Sequence, residues 1–305
     1  MTGTPIALLP ERDEHVERAI VDGGATVVDD LAAATGLIWL GGLDDFPNSL
    51  PDNVQWVQLK LAGIEAFVDA GVIDDRRVWT NASGFYAENV AEHALALLLS
   101  VLHQIPAAVT RRWDKDGIDP AMRSLQGATV AIVGAGGIAR ALIPRLQACG
   151  ASVIAVNRSG RPVDGAAQTL PAERLSEVWP RCDHVVLAAP ATAETRHLVD
   201  ASVLEQLPAH AWVINVARGS LIDQDALISA LDAGSIAGAA LDVTDPEPPA
   251  DDDPLWDRSD VIITPHVANP ASGLHATMAP WVRENVRRFI AGEPLLARLE
   301  PGRDY

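Results

Sequence analysis

Cysteine is almost absent from this 305-residue chain. Cys149 and Cys182 are too few for a disulfide framework and lack metal-ligand spacing, so no metal site is expected. The pair fits a reducing compartment, and both thiols are expected to be buried. Basic residues are the second shortage: 23 lysines and arginines face 41 aspartates and glutamates, a net charge of −18, and no basic stripe offsets it locally. Such a surface repels phosphate backbones and anionic lipid, so neither nucleic acid nor membrane is expected as a partner. Any anionic ligand has to meet a local positive site. Long apolar runs are missing too. The longest, Ala94 to Leu102, falls well short of the roughly 18 residues of a spanning helix, and Glu11 and Arg12 interrupt the N-terminal stretch early. The expected location is the cytoplasm.

What is present is an ordinary globular composition, 48% hydrophobic and 21% charged. The length exceeds a comfortable single core and favours two domains. Apolar runs at Ile6–Leu9, Thr26–Val28, Leu37–Leu40 and Val54–Leu59 alternate with helical patterns, one capped near Asp13, which reads as a parallel α/β layer. A long helix follows from about Ala87 to His103, with Pro106 interrupting before a second helical stretch towards Arg112. A second α/β series has strands near Thr129–Val133, Ser152–Val156, His184–Leu187, Trp212–Val216, Ala237–Leu241 and Val261–Ile263. A last helix, from about Ser272 to Ala291, is placed to return to the first domain. The fold expected is α/β, two Rossmann-like domains with doubly wound parallel sheets. Residues 1–98 and 272–305 form a discontinuous, flavodoxin-like substrate domain, and 99–271 a dinucleotide-binding domain. The acidic, proline-rich segment Asp245–Asp253 reads as a loop.

Strand Ala131–Val133 runs into Gly134-Ala135-Gly136-Gly137-Ile138-Ala139 and then into a helical pattern, the context in which a glycine turn binds a dinucleotide. Gly134 permits the tight turn, Gly136 lets the backbone approach a pyrophosphate, and Ala139 is the small residue at the helix–strand contact. Amides at the helix N-terminus then face the anion. The next strand ends in Val156-Asn157-Arg158-Ser159-Gly160-Arg161 and lacks the carboxylate that would hold the ribose hydroxyls of NAD. A carboxylate there would repel a 2′-phosphate by about 4 kcal/mol at 4 Å and an effective dielectric of 20, whereas Arg158 attracts it. The expectation is NADP(H) in preference to NAD(H), which remains possible, with Arg158 as the main clamp and Ser159 and Arg161 assisting.

Downstream, Asn215-Val216-Ala217-Arg218-Gly219, Asp245-Pro246-Glu247-Pro248 and Thr264-Pro265-His266 supply a fixed cation, a carboxylate and a proton carrier. A guanidinium can grip a substrate carboxylate, an imidazole can exchange one proton near neutral pH, and a carboxylate can orient that imidazole. Following a glycine turn, this order points to hydride-transfer chemistry.

Taken with Gly84-Phe85-Tyr86-Ala87-Glu88-Asn89-Val90-Ala91-Glu92-His93, Ala189-Pro190, Ala240-Leu241-Asp242-Val243 and Thr264-Pro265-His266-Val267-Ala268, these motifs make the chain resemble the D-isomer-specific 2-hydroxyacid dehydrogenases, in particular their glyoxylate/hydroxypyruvate reductase branch. The resemblance covers nearly the whole chain. It implies an oxidoreductase that reduces a small 2-oxo acid to the D-2-hydroxy acid, with Arg218, Glu247 and His266 as the catalytic set and Arg218 and His266 also touching substrate. It extends the cofactor positions to Gly134, Gly136, Gly137, Ile138, Asn157, Ala189, Pro190 and Ala217, and sets Asp242 at the nicotinamide carboxamide. It assigns Leu61, Ala62, Gly63 and Ile64 to a backbone cradle for the substrate carboxylate, with Lys60 close by and Asn81, Phe85 and Tyr86 along the pocket. A homodimer is implied as well, with the Ala87–Arg112 region as its contact. His93 is given a structural hydrogen-bonding role. Trp113 and Trp281 are candidates for a domain or subunit contact, or for core packing. The alternatives are an NAD-dependent D-lactate or phosphoglycerate type dehydrogenase, and a non-catalytic NADP(H)-sensing interaction protein on the same fold.

Overall fold

The computed structural model describes residues 3–270 and 272–299. Residues 1–2, 271 and 300–305, which the expected domain limits include, lie outside the described residues. In chain order the elements are β1 (Thr4–Leu9), α1 (Glu14–Asp22), β2 (Ala25–Val28), β3 (Gly36–Trp39), β4 (Trp56–Leu59), α2 (Glu65–Asp69), β5 (Val78–Thr80), α3 (Ala87–Leu102), α4 (Ile105–Arg111), α5 (Lys115–Ile118), β6 (Thr129–Val133), α6 (Gly137–Ala148), β7 (Ser152–Asn157), β8 (Gln168–Pro171), β9 (His184–Leu187), α7 (Ala201–Leu204), β10 (Trp212–Asn215), α8 (Gln224–Asp232), β11 (Gly238–Leu241), β12 (Val261–Ile263) and α9 (Leu274–Ala291). Two compact units emerge: residues up to Tyr86 with those from Pro270 onward, and Ala87–Asn269. The first break falls at the start of α3 and not at residue 98, because α3 packs against α6 and reaches β10 and β11.

The first unit carries a parallel sheet in the order β2-β1-β3-β4-β5. Side chains alternate across it as a sheet covered on both faces requires. Ile6 and Leu8 pack with Val16, Ala19 and Ile20 of α1 and with Met278, Val282 and Val286 of α9, while Ala7 faces the opposite cluster with Leu37, Trp39, Val57, Leu59 and Trp79. Asp13 caps α1 by accepting from the His15 and Val16 amides, and its second oxygen meets His275 of α9 at 3.0 Å. Burial works against that carboxylate's charge, yet the Val16 amide and His275 together hold its pKa below the ordinary value.

The second unit is a parallel sheet in the order β12-β11-β10-β9-β6-β7-β8. Renumbered from β6, this is the 3-2-1-4-5-6 winding of a dinucleotide-binding sheet with one further strand, and its switch point lies between β6 and β9. Edge strands β5 and β8 escape a sequence reading because they are short, and β8 ends in Pro171 without a clear apolar alternation. Pro106 sits in the first turn of α4, where a missing N–H costs nothing; it starts that helix and interrupts none. Cys182 is buried, but Cys149 is only partly so, since it lies past the end of α6.

His184 of β9 is enclosed in this sheet and accepts the Trp212 N–H at 3.3 Å. Burial pushes its pKa down from 6.5 to about 4, against the pull of Asp183. The folded state therefore holds His184 neutral while an unfolded chain takes up a proton below about pH 6.5. Stability is fully present above that value and is lost as the pH falls towards 4. The free energy of unfolding in urea should drop by about 2 kcal/mol between pH 7 and pH 5, and His184→Gln should flatten that slope. Equal values at the two pH values in the parent protein would contradict the assignment.

Candidate active site

The strands of the second unit end in step. Val156, Val133, Leu187, Asn215, Leu241 and Ile263 are paired across the sheet from β7 to β12. Each site residue expected in this unit follows one of those ends, so the segments carrying them leave the same carboxyl edge.

At the β6 end, Gly134 has φ +98°, and a Cβ there would lie 2.3 Å from the Ala189 amide. Only glycine fits between the turn and the segment following β9. At Gly136 a Cβ would meet nothing within 4 Å, and no side chain caps α6, whose first residues are Gly137 and the half-buried Ile138. An uncapped helix terminus behind an open glycine backbone fits a dinucleotide pyrophosphate.

After β7, Asn157 shapes its own loop. Its amide donates to the Arg161 carbonyl at 2.8 Å, and its side-chain oxygen accepts the Ser159 N–H at 3.2 Å. Arg158, Ser159 and Arg161 are exposed on this turn. Across from it, the Thr192 hydroxyl bonds Glu194 at 2.8 Å and holds that carboxyl below its ordinary pKa, with Arg158's charge contributing. Ala189 is buried, and the Pro190 carbonyl accepts the Thr195 hydroxyl.

Beyond β10, buried Asn215 folds the next turn by donating to the Arg218 carbonyl at 2.8 Å and accepting the Ala217 N–H at 3.1 Å. The Arg218 guanidinium donates to the Ala217 carbonyl at 2.7 Å. Gly219 lets this turn lie directly on the backbone of Thr244 and Asp245, since a Cβ there would stand 1.9 Å from the Thr244 carbonyl. The arginine turn is thereby set against the start of the acidic loop. Along that loop Glu247 reaches His266, its Oε1 standing 2.5 Å from the ring Nδ1. The expected carboxylate–imidazole pair is formed.

His266 has φ +51°, a left-handed conformation held by its N–H donating to the carbonyls of Asp242 and Thr264, each at 2.9 Å. Asp242, expected at the nicotinamide, commits both carboxylate oxygens to the same segment: it accepts from the Thr264 hydroxyl, Val267 N–H and Ala268 N–H. His93 of α3 joins this group at 3.0 Å from the Thr264 hydroxyl. Thr264, Asn215 and Gly219 stood in the sequence motifs without a role of their own, because their roles are bonds and clearances that only the folded register creates.

In the first unit, the Lys60–Ile64 turn is held from behind. Asn81 donates to the Ala62 carbonyl at 2.7 Å, and the Tyr86 hydroxyl donates to the Lys60 carbonyl at 2.5 Å. Burial pushes the Tyr86 pKa up to about 12, keeping it a donor. Phe85 packs edge-on against Tyr86 and near Trp281. Ile64 is buried in the core, Leu61 is exposed, and Lys60, Ala62 and Gly63 are partly so. Other histidines of the chain lie elsewhere: His275 on Asp13, His210 on Asp183 at 2.8 Å, His197 near Asp223 at 3.8 Å, and His184 in the core.

A family model described as "D-isomer specific 2-hydroxyacid dehydrogenase, NAD binding domain" matches residues 93–268, more than half of the chain. The chain belongs to this dehydrogenase family. It is 39% identical over 298 residues to an uncharacterized protein from the proB 3′ region of Corynebacterium melassecola, covering 96% of this chain and 97% of that one. A glyoxylate/hydroxypyruvate reductase of Arabidopsis thaliana is 33% identical over 230 residues, covering 73% of this dehydrogenase and 69% of the plant protein. Among solved structures, a D-isomer specific 2-hydroxyacid dehydrogenase of Xanthobacter autotrophicus Py2, in complex with NADPH and MES, superposes with a TM-score of 0.83 at 28% identity over 98% of both chains.

Two glycines separate packing from binding. Gly219→Ala has to displace backbone and should cost about 2–3 kcal/mol in urea unfolding. Gly136→Ala enters open space and should change stability by less than about 0.5 kcal/mol while weakening dinucleotide binding in a fluorescence titration. Equal stability losses would refute the distinction.

Proposed function

We propose that this dehydrogenase reduces a small 2-oxo acid of the glyoxylate/hydroxypyruvate type to the D-2-hydroxy acid, using NADPH, with His266 as proton donor. The observation that carries the reading is the Glu247–His266 pair at 2.5 Å, on the edge that also bears the Arg218 turn. Hydride comes from the reduced nicotinamide when it is bound. Because Glu247 engages Nδ1, the proton for the substrate carbonyl oxygen leaves from Nε2 of His266. Arg218 grips the carboxylate and stabilises the developing alkoxide, a preorganised charge that needs no rearrangement during the reaction. In the first unit, Asn81 and Tyr86 fix the shape of the Lys60–Ile64 turn.

Preference for NADPH rests on Arg158 and Arg161 at the end of β7, where no carboxylate stands. It is in keeping with the NADPH bound to the Xanthobacter relative. Glu194 tempers it, since it shares Arg158's charge. NADH remains usable, as both nicotinamides share the glycine-turn contacts. A cytoplasmic location accords with two free thiols. A homodimer is part of the same reading. Ile105 and Val109 of α4 are 49% and 77% exposed and Trp113, just past the helix, is 95% exposed, apolar surface that a second copy would cover. Among the described residues no single helix is long and apolar enough to cross a membrane.

A panel of 2-oxo acids assayed with each reduced nicotinamide tests the reading, and a higher kcat/KM with NADH than with NADPH would remove the cofactor assignment. His266→Gln should lower kcat by about 100-fold or more. Val109→Glu should shift the mass measured by light scattering from two chains to one, and an unchanged mass would exclude the α4 surface as the contact.

A further inference from the structure

We propose that His93 and Thr264 are positioning residues for His266, acting through the buried carboxylate of Asp242. The inference rests on the reading of His266 as proton donor. Asp242 is 2% exposed, and a carboxylate so enclosed must be matched by donors. The Thr264 hydroxyl donates to Oδ1 at 2.6 Å, the Val267 N–H to the same oxygen at 3.0 Å, and the Ala268 N–H to Oδ2 at 3.0 Å. Two of these donors directly follow His266, whose own N–H is held by the Asp242 and Thr264 carbonyls. The segment from Thr264 to Ala268 is thus wrapped around one acidic residue, with the imidazole at its apex.

The hydroxyl of Thr264 has a single proton. Given to Asp242, it leaves only lone pairs, which need a donor from elsewhere. His93 provides it: its Nε2 stands 3.0 Å from the Thr264 hydroxyl oxygen and 3.3 Å from Asp242 Oδ1. In the tautomer with its proton on Nε2, the chain of bonds runs from His93 to Thr264, to Asp242, and on to the amides that follow His266. Its origin is fixed, because α3 buries Val90, Ala91, Ala94, Leu97 and Leu98 in the core. Residue type matters at each link. A carboxylate at position 93 would face that of Asp242, and an aliphatic residue at 264 would take one donor from Asp242 and leave His93 only its longer 3.3 Å approach to that carboxylate.

The tests are Thr264→Val, Thr264→Ser and His93→Phe, each read by turnover and by amide hydrogen exchange in the full chain. Thr264→Val should reduce kcat with NADPH and glyoxylate by about tenfold or more while the KM for NADPH stays within about twofold. Thr264→Ser should restore most of it. His93→Phe should show a smaller loss, and the double variant should be no worse than Thr264→Val, since both break one chain. Exchange at the Val267 and Ala268 amides should quicken by about tenfold in Thr264→Val, a readout that requires no turnover. If those amides exchange as in the parent protein, the proposal fails whatever the activity. If the KM for NADPH rises and kcat does not change, Asp242 acts through the cofactor and the proposal also fails. Faster exchange in a protein inactive towards every 2-oxo acid would uphold the positioning of the 264–268 segment and dismiss the reductase reading alone.

Discussion

The site depends on one constraint, the common register of a parallel sheet. Because strands β7 to β12 pair so that Val156, Val133, Leu187, Asn215, Leu241 and Ile263 stand in line, the residues that follow them emerge together, although well over a hundred positions separate Gly134 from His266. A slip of one residue in any of these strands would turn its side chains to the other face and withdraw its loop from the edge. The buried apolar runs forbid that slip: β6, β9, β10 and β11 are enclosed almost throughout, so register and core are set by the same side chains. The glycines serve that arrangement. Gly134 against Ala189 and Gly219 against Thr244 are places where backbone lies on backbone and no side chain could intervene.

Charge is arranged against the bulk of the molecule. With a net charge of −18 the surface as a whole repels the anions that this family handles, so local cations have to overcome it at short range. Arg158 and Arg161 stand on a loop whose shape is fixed by Asn157, and Arg218 on a turn fixed by Asn215. In both cases an asparagine at the end of a strand ties the turn by giving one hydrogen bond and accepting another. A carboxylate could accept but not donate, and in the first loop it would also repel a 2′-phosphate.

Most strands were legible because each is a short apolar run bounded by polar or glycine positions; Thr129–Val133 and His184–Leu187 in the middle of the second sheet, and Val261–Ile263 at its edge, needed no revision. The glycine turn was legible because its spacing carries a mechanism. What sequence could not supply was anything made by contact between distant segments. The edge strands β5 and β8 have too little pattern of their own. Gly219 looks like any glycine until Thr244 is beside it. Trp113 could not be assigned between core and surface, and it is exposed. Asp242 could be recognised by its motif, but the direction of its carboxylate, towards the Thr264–Ala268 segment, is a fact of packing. The acid partner of His266 was named from sequence as Glu247 through its motif, and the 2.5 Å approach needed the loop's fold.

The energetics of the imidazole divide between a hidden half and an exposed half. The side chains of His266 and Glu247 are 51% and 42% exposed, so as an ion pair they add little to stability in water. Their bond orients a ring. A left-handed backbone at a residue other than glycine costs about 1–3 kcal/mol, which an exposed pair could not offset. Hydrogen bonds to a buried carboxylate contribute roughly 1.5–3 kcal/mol each, and Asp242 receives three from the residues flanking His266, two of them from the backbone. Part of that gain offsets the cost of enclosing the carboxylate, and the same three bonds pin the strained turn in place. The imidazole can therefore remain open to solvent while its backbone is held from the core side, by residues that leave the ring itself untouched.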